Sequence, residues 1–452
     1  MKRLWILLLL LLGAATLRAQ DVQLSLEDCL SYCEDGNRDL KNADLRVVGA
    51  KAQRAEARWE YFPRVSVNAV AYDAFHPLLK ITLRDVLGNS DAANNLNAYI
   101  TDFARQNGIK PYFETLEYGY GASVMLTQPI YAGGRIVNGN RLASLGVEAA
   151  RLQADMTVKA VRDSVESKYW RAVALQEKRR ILDETLGLLD MLEKDLSSAL
   201  AAGLVTDEDL LQVRLKRSET EALSRRLNGG LGLAKMDLLD QIGYPYSYLD
   251  LPGIRLTEDL GQAPAPETVL MDDPDMTRTP ESRLLEMQVQ ARKLEQKMAV
   301  GEYLPQVAVG ATYGYNALIQ PGTRKSPNGL VFAMVKIPLT DIGKAVARSR
   351  RYGAQVQMAE NDRDYLNGRL RLLEQMLRLE LTTAWDEMQV REEAVEYAQK
   401  ALERMQARYR AGQVTASALA RTTVELSAAQ DQLIGARIAY RKAVNTYYTK
   451  TK

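Results

Sequence analysis

The fold is decided by two short stretches, Leu200-Ala201-Ala202-Gly203-Leu204-Val205-Thr206 and Tyr409-Arg410-Ala411-Gly412-Gln413-Val414-Thr415. Each has a glycine where a helix can end and a threonine where the next can begin, which predicts a tight helical hairpin. The two glycines are 209 positions apart, and the same offset carries Pro129 onto Pro338 and Gly134 onto Gly343. The chain therefore contains an internal duplication.

Both turns lie inside long blocks that contain no proline. The blocks are Ile130–Tyr244 and Leu339–Lys452, of 115 and 114 residues, and all 14 prolines lie outside them. Because proline costs ~3 kcal/mol inside a helix, these blocks predict two equivalent helical units. Apolar residues recur at steps of three or four, as in Val158, Val161, Val165, Tyr169 and Val173. A helix over residues 132–202 would be roughly 105 Å long.

Four short segments alternate with period two instead, which is typical of strands: about Arg64–Asp73, Tyr118–Gln128, Gln306–Tyr315 and Leu330–Ile337. Each has an apolar side and a side of small or polar residues. About ten such residues match a membrane-spanning β-strand, although a small soluble sheet is the alternative interpretation. Lys336 is predicted to face the lumen, because its neighbours Val335 and Ile337 suit lipid.

The connections between these strands are unequal. The first two strands are separated by the long loop Tyr72–Glu117, which holds the sole histidine, His76, whereas Asn316–Gly329 joins the other two. Long outer loops and tight inner joins are the habit of outer-membrane barrels. Pro245–Pro280 is rich in proline and acidic residues and is predicted to be a surface linker with some short structure.

The N-terminus predicts export. Lys2 and Arg3 precede the apolar run Leu4–Leu12, which is the layout of a secretory signal and too short for a membrane helix of ~20 residues. A short membrane anchor is the alternative. The predicted organisation is a signal at 1–19, a first repeat at 20–244, a linker at 245–280 and a second repeat at 281–452. No second stretch is apolar enough for an α-helical transporter.

Composition excludes several functions. The formal net charge of +2 gives no reason to expect a nucleic-acid partner. A single histidine removes His-based triads and most zinc sites, so neither an enzyme nor a cofactor is expected. Cys29 and Cys33, one helical turn apart, are predicted to lie on the buried face of the first helix, although an oxidising compartment could pair them. Trp170 and Trp385 are predicted to be packing residues.

Four strands cannot close a barrel, and lipid offers the backbone no hydrogen bonds, so the strands must be shared among copies of the chain. A dimer would give eight strands and a trimer twelve, and only twelve leave room for passage. The predicted fold class is thus mainly α with a membrane β-barrel part. Long helical hairpins continue a barrel to which three chains each give four strands.

This duplicated order of helix, strand, loop, strand and hairpin resembles the outer-membrane efflux protein family, the TolC-like outer-membrane factors. Its most specific motifs are Tyr61-Phe62-Pro63 and Tyr303-Leu304-Pro305 before strands, Gln128-Pro129-Ile130-Tyr131-Ala132-Gly133-Gly134 after one, and the two Ala-Gly-x-Val-Thr turns. The resemblance implies a homotrimer in the outer membrane of a Gram-negative bacterium, with a long periplasmic extension. It also implies a periplasmic adaptor protein and an inner-membrane pump as partners.

The resemblance assigns roles to the hairpin tips. Residues at the turns would contact the adaptor: Ala202, Gly203, Leu204, Ala411, Gly412 and Gln413. Neighbouring residues would form the periplasmic gate: Asp207, Glu208, Asp209, Tyr409, Arg410 and Arg421. Family members carry a tyrosine before the second tip glycine, where Tyr409 stands, and acidic residues after each tip.

The second hairpin departs from the family pattern. Ala418 and Arg421 stand where the best-known members carry aspartates, which puts a cation-attracting constriction in doubt. Three-fold symmetry would instead bring acidic residues of the first tip near Arg421, where ion pairs could hold the gate shut. The alternative is that the acidic residues only cap a helix and that the arginines are solvated.

The leading function is a passive exit duct of a tripartite efflux pump. A duct of a type I peptide or protein secretion system is the alternative, because the inner-membrane pump selects the cargo. A periplasmic coiled-coil scaffold without a pore is the third possibility.

Overall fold

The computed structural model describes residues 22–76, 79–115, 118–203, 205–258, 260–261, 263–271, 274–317 and 327–451. The predicted signal at 1–19 and the tip residue Leu204 lie outside the described residues. The chain divides into two compact units. The helical unit comprises Met1–Gly49, Glu148–Gln288 and Glu360–Lys452, and the sheet unit comprises Ala50–Val147 and Val289–Ala359.

The described residues form eight strands and ten α-helices. The strands are β1 (Val22–Leu24), β2 (Arg64–Asp73), β3 (Leu79–Thr82), β4 (Tyr112–Thr115), β5 (Tyr118–Ala132), β6 (Ile254–Leu256), β7 (Gln306–Ala317) and β8 (Asn328–Lys336). The helices are α1 (Leu26–Gly36), α2 (Arg38–Trp59), α3 (Leu83–Leu87), α4 (Asp91–Gln106), α5 (Arg135–Ala201), α6 (Asp207–Ile242), α7 (Pro266–Val269), α8 (Pro280–Gly301), α9 (Ile342–Arg410) and α10 (Ala416–Thr451). Short 3₁₀ turns occupy Tyr248–Gly253 and Met276–Arg278.

The sheet unit is built on one four-stranded sheet in the order β2-β5-β7-β8. All three strand pairs are antiparallel, with Val67 opposite Val124, Val124 opposite Tyr313, and Val309 opposite Ala333. The four strands predicted from alternation are therefore confirmed. β5 runs four residues further than predicted, to Ala132, and passes a bulge between Pro129 and Tyr131.

The segment between β2 and β5 holds more structure than the predicted loop. β3 and β4 pair antiparallel, with Leu79 opposite Thr115, and α3 and α4 lie between them in sequence. α4 begins at an N-cap serine, Ser90, whose hydroxyl accepts a hydrogen bond from the Ala93 amide. The sequence analysis predicted only a loop here, although α4 is 16 residues long.

The two helical hairpins match closely in size. α5 has 67 residues and α6 has 36, while α9 has 69 and α10 has 36. At ~1.5 Å per residue, α5 and α9 are each about 100 Å long. The predicted helical repeat is therefore present in length as well as in sequence. No helix in the part of the chain that the structure describes is both long and apolar enough to span a bilayer.

The helical unit has three apolar clusters. One lies where α1, α5 and α6 meet and includes the fully buried Val165, Tyr169 and Ile242. A second joins the ends of both hairpins, and a third packs α9 against α10 around Leu381 and Tyr440. Each cluster comes from residues spaced three or four apart, as expected for helices packing along one stripe.

The segment predicted to be a surface linker with some short structure contains such structure, and part of it is buried. β6 pairs in parallel with β1, with Val22 opposite Ile254. Leu251, Ile254 and Leu256 are buried in the same cluster as Tyr169. Lys235 also reaches into the segment, and its ammonium group donates to the carbonyl oxygens of Leu251 and Ile254. Proline and acidic content hid a short strand whose few apolar residues are all used for packing.

Candidate functional site

The two faces of the four-stranded sheet differ in chemistry. Residues directly opposite each other on neighbouring strands point to the same face. The register therefore collects one set on what we name the apolar face: Val65, Val67, Ala69, Val124, Leu126, Ala311, Tyr313, Val331, Ala333 and Val335. Its valines are exposed, at 74% for Val67 and 84% for Val331. The one charged residue that the described register places on this face is Asp73, at the far end of β2.

On the other face, the side chains of the first three strands are smaller and more polar. This face carries Ser66, Asn68, Ser123, Thr127, Gly310, Thr312 and Gly314. β8 differs from the prediction, because Leu330, Phe332 and Met334 lie on this face as well. Phe332 fits there because Gly310 opposite has no side chain. A Cβ at Gly310 would come within 2.4 Å of the phenylalanine ring.

Lys336 lies on this second face. It is opposite Gln306, whereas its neighbour Val335 is opposite Val307 on the apolar face. The sequence prediction separated these two side chains correctly. A lumen would exist only in an assembly of several chains, so the orientation of Lys336 toward a lumen stays a prediction.

The sheet continues into helices through a close backbone contact. Gly133 has a φ of +63° and lies against Gly301, so that a Cβ on Gly133 would stand 1.9 Å from the Gly301 carbonyl oxygen. Only glycine adopts this φ without strain, and only glycine leaves room for the neighbouring backbone. The contact joins the end of β5 to the end of α8.

The hairpin tips of the helical unit share one turn design. Gly203 and Gly412 have φ values of +72° and +70°, in the left-handed region. The N–H of Gly412 donates to the Tyr409 carbonyl at 2.9 Å, and the N–H of Gly203 donates to that of Leu200 at 2.9 Å. These contacts satisfy carbonyl groups at the helix ends, as glycine C-caps do.

The following helices begin with matched threonine caps. The Thr206 hydroxyl accepts a hydrogen bond from the Asp209 amide at 3.4 Å, and the Thr415 hydroxyl accepts one from the Ala418 amide at 3.2 Å. The caps explain why each helix begins one residue after its threonine. The two predicted turns therefore exist with the predicted residues in the predicted positions.

One apolar cluster holds both tips together. Leu196 and Leu210 of the first hairpin are buried with Leu402, Leu419 and others of the second. Tyr409 is half-buried at the edge of this cluster. The tip residues are thus positioned by packing between the two repeats.

Asp209 is the point where the two tips exchange a polar contact. The Ser417 hydroxyl donates to the Asp209 carboxylate at 3.4 Å, across 208 residues of sequence. The same serine lies 2.9 Å from the Thr415 hydroxyl. A carboxylate after the first tip is therefore connected to the N-cap of the second.

Tyr409 lies in the electrostatic field of the first hairpin. Burial raises the pKa of the Tyr409 phenol, and the carboxylates of Asp195 and Asp209 raise it further. The phenol is thus held in its neutral form, in which it can donate a hydrogen bond as well as accept one. The charge of Asp209, another predicted gate residue, therefore reaches Tyr409.

The remaining predicted gate residues do not meet within one chain. Four of the charged gate residues are exposed: Asp207, Glu208, Arg410 and Arg421. Asp209, by contrast, is half-buried. Among the described residues, no ion pair joins Arg421 to any of the three acidic residues. The residues predicted to contact an adaptor are exposed where they are described: Ala202, Gly203, Ala411, Gly412 and Gln413.

Sequence reasoning missed two polar residues at the tips. Asp195 acts on Tyr409, and Ser417 contacts Asp209. Asp195 is on α5, before the tip, and the search considered only acidic residues after each glycine. Ser417 is the second residue of α10, and the equivalent position of the first repeat is Glu208, so the duplication itself hid it. A test for polar residues that differ between aligned repeats would have found Ser417.

Other predicted residues have structural roles. Cys29 and Cys33 are free and buried, which confirms the packing interpretation. Burial raises the pKa of the Cys29 thiol to about 12. Trp170 is buried with the Arg441 guanidinium 3.9 Å from its ring centroid, and Trp385 packs against Tyr440 with ring centroids 5.0 Å apart.

The fold is that of an outer-membrane channel protomer. The chain superimposes on the outer-membrane channel OprN with a TM-score of 0.72 and 17% identity, covering 94% of this chain and 89% of that chain. VceC of Vibrio cholerae gives a TM-score of 0.72 at 15% identity, covering 94% of this chain and 96% of that one. MtrE of Neisseria gonorrhoeae, in its open state, gives 0.66 at 13%, with 97% and 93% covered.

The sequence carries the matching family signature. Residues 278–449 match the family described as outer membrane efflux protein, which confirms the resemblance drawn from the turn and strand motifs. This match falls on the second repeat and ends within α10. No curated protein sequence matches the chain.

Proposed function

We propose that the chain is one of three identical protomers of an outer-membrane exit duct, through which a tripartite efflux pump releases its substrates. The four-stranded sheet carries this proposal. One face of it is apolar and exposed, and β2 and β8 each have a single neighbour among the described strands. Open edges cannot persist in lipid, where backbone groups have no other partners. Three copies give a closed sheet of twelve strands.

The helical hairpins extend the wall of this duct into the periplasm. The helices have 67 and 69 residues before the tips and 36 residues after them, so each protomer gives the wall two hairpins of nearly equal length. The exposed tips Ala202, Gly203, Ala411, Gly412 and Gln413 are the surface for a periplasmic adaptor, which connects the duct to an inner-membrane pump. Leu204 belongs to the same predicted surface but lies outside the described residues.

The gate is at the tips. The polar contact between Asp209 and Ser417 connects the two hairpins of one protomer, and Tyr409 packs against the apolar cluster that both hairpins share. The exposed Asp207, Glu208, Arg410 and Arg421 are then available to neighbouring protomers, where opposite charges form ion pairs that break when the duct opens. A duct for secreted peptides or proteins would need the same parts. A scaffold without a pore would have no use for the exposed apolar face.

The assembly can be tested on the full-length protein after extraction from outer membranes with detergent. Native mass spectrometry should give a mass of three chains, and planar bilayers should show discrete conductance steps. A monomer that stays in solution without detergent would overturn the proposal.

The gate can be tested separately by single-channel recording. Asp209→Ala and Arg421→Ala are each expected to raise the conductance. The first removes the Asp209–Ser417 contact between the two hairpins of one protomer, and the second removes one charge from the ion pairs between protomers. Glu425→Ala is the control, since Glu425 is an exposed acidic residue on the same helix as Arg421. Conductance unchanged in both variants would refute this gate and leave the duct intact.

A further inference from the structure

The helix ends next to the four-stranded sheet are unusually basic. Within residues 51–60, 135–147, 291–302 and 341–351 there are twelve Lys or Arg against five Asp or Glu, a formal net charge of +7 in a chain whose total is +2. We name these basic residues the collar: Lys51, Arg54, Arg58, Arg135, Arg141, Arg292, Lys293, Lys297, Lys344, Arg348, Arg350 and Arg351. All of them belong to the sheet unit.

The collar forms one band because the four helix ends lie side by side. The Asn140 side chain donates to the Ala57 carbonyl at 2.7 Å and so joins α5 to α2. The contact between Gly133 and Gly301 joins the start of α5 to the end of α8. The Gln296 side chain donates to the Ser349 carbonyl at 3.4 Å and joins α8 to α9. The helices therefore follow the same order as the strands to which they lead.

Most acidic residues of the band are already neutralised. Glu60 pairs with Arg64, Glu302 with Arg348, Asp341 with Lys344 and Glu295 with Arg292. Five exposed collar residues have no acidic partner within 4.0 Å in the described part of the chain: Lys51, Arg58, Arg141, Lys297 and Arg350. The like charges of the collar repel each other. An anionic partner outside the chain would reduce this electrostatic repulsion.

Exposed apolar side chains lie among these charges. Ile342 and Val346 are 66% and 47% exposed, and with Arg350 they follow at steps of four along one side of α9. Val137 precedes Arg141 by the same step on α5. Trp59, 69% exposed, packs its ring against Phe62 at the start of β2. Aromatic, aliphatic and basic side chains in one band are typical of the boundary between a membrane and water.

The opposite end of the strands carries less charge. The insertion at residues 79–115 carries four basic residues and four acidic ones. The connection between β7 and β8 adds Arg324 and Lys325 and no acidic residue, so this end carries a formal net charge of +2. The side of the sheet that leads into the long helices carries +7. In the proposed duct, this is the side at which the outer membrane faces the periplasm.

We propose that the collar binds the phosphate groups of anionic phospholipids in the periplasm-facing leaflet. This inference depends on the proposed membrane function, because only that orientation brings the collar to a lipid surface. Arginine and lysine bind phosphate by charge-assisted hydrogen bonds, and arginine can do so with two at once. The exposed aliphatic and aromatic side chains enter the acyl region beside the same headgroups. The lipids would thereby fix the depth of the protein in the membrane.

The test uses the full-length protein reconstituted in vesicles of phosphatidylethanolamine alone or with one fifth phosphatidylglycerol. Native mass spectrometry after mild detergent release counts the lipids that stay bound. The variant Arg141→Gln/Lys297→Gln/Arg350→Gln removes three collar charges. The matched control, Lys194→Gln/Arg226→Gln/Arg404→Gln, removes three exposed helical charges from the helical unit.

The wild type and the control should retain phosphatidylglycerol at least fivefold over its share of the vesicle, and the collar variant should lose most of this enrichment. Addition of 0.1 M sodium phosphate should displace no more lipid than sodium chloride at the same ionic strength. Displacement by phosphate alone would overturn the proposal in favour of a free anion site.

Two further outcomes separate this proposal from the proposed function. Trimers that insert and conduct but show no phosphatidylglycerol enrichment would refute the collar alone. A protein that inserts in neither vesicle would refute the duct. If the collar variant kept its lipids and instead shifted the reversal potential in a salt gradient, the charges would face the lumen, and the lipid proposal would be wrong.

Discussion

The helical unit and the sheet unit treat their apolar side chains in opposite ways. The helical unit buries Val165, Leu238 and Tyr440 almost completely among its own helices. The sheet unit leaves Val67 and Val331 more than 70% exposed on a continuous apolar face. One unit covers its apolar side chains with its own helices, whereas the sheet unit leaves its apolar face uncovered in the described part of the chain.

An exposed side chain therefore has a different consequence in each of the two units. In the helical unit an exposed residue faces water, and its truncation should cost little. In the proposed duct an exposed valine of the sheet unit faces lipid, and a polar replacement should be costly. The following substitutions test whether the two units follow different rules.

The largest effect is expected in the core of the helical unit. Leu238→Ala removes a side chain that is 1% exposed and should lower the free energy of unfolding by about 2–5 kcal/mol through lost burial and a cavity. Denaturant unfolding of the detergent-solubilised protein, followed by circular dichroism, measures the change. The matched control is Leu233→Ala on the same helix, where the side chain is 68% exposed. Equal losses in the two variants would contradict the assignment of Leu238 to a self-contained core.

The next effect concerns the apolar face of the sheet. Val67→Lys should disfavour membrane insertion by about 2–4 kcal/mol per chain, because a lysine near the bilayer midplane must leave water. Asn68→Lys, one residue further on the opposite face, should be tolerated. Insertion into vesicles, scored by heat-resistant trimers on a gel, gives the readout. If Asn68→Lys were the more harmful variant, the faces would have been assigned in reverse.

A smaller effect is expected at the hairpin tips. Gly412→Ala forces a side chain into the left-handed region at φ +70° and should destabilise the turn by about 1–2 kcal/mol. Gly435→Ala is the control of opposite sign, because Gly435 lies inside α10 with open space around it. An alanine there should stabilise the helix by about 0.5–1 kcal/mol. Thermal unfolding midpoints of the two variants should move in opposite directions.

The smallest effect near neutral pH concerns the buried thiol of Cys29, whose pKa burial raises from 9.0 to about 12. A raised pKa means that the folded state favours the neutral thiol. The stability that this contributes is fully present below about pH 9 and is lost as pH rises toward 12. In a Cys33→Ser background, iodoacetamide at pH 8 should label Cys29 only after denaturation. Rapid labelling of the folded protein would show that the thiol is not buried.

The sequence predicted the elements that depend on local periodicity. Proline-free blocks and steps of three or four located α5 and α9 to within a few residues, and alternation located β2 and β7. Glycine and threonine at the tips gave the turn geometry, because few residues other than glycine adopt its φ. These features are set by residues close together in sequence.

Other features depended on contacts between distant residues. The pairing of β1 with β6 rests on three residues in each strand, too few for a periodic signal. The bond between Ser417 and Asp209 joins positions 208 apart, so no local pattern could have indicated it. Phe332 breaks the alternation of β8 only because Gly310, on another strand, makes room for it. Such choices are made by packing partners, which a single sequence does not reveal.

The pairing of β1 with β6 also has a consequence for how the protein is made. The Leu26 amide donates to the Glu258 carboxylate, 232 residues later, and the Tyr169 hydroxyl donates to the Leu24 carbonyl. A polypeptide that emerges from its N-terminus must hold its first strand unpaired until more than half of its length is available. Closing so long a loop is slow. The pairing of β1 with β6 should therefore be a late step of folding, after the intervening hairpin of α5 and α6 has formed.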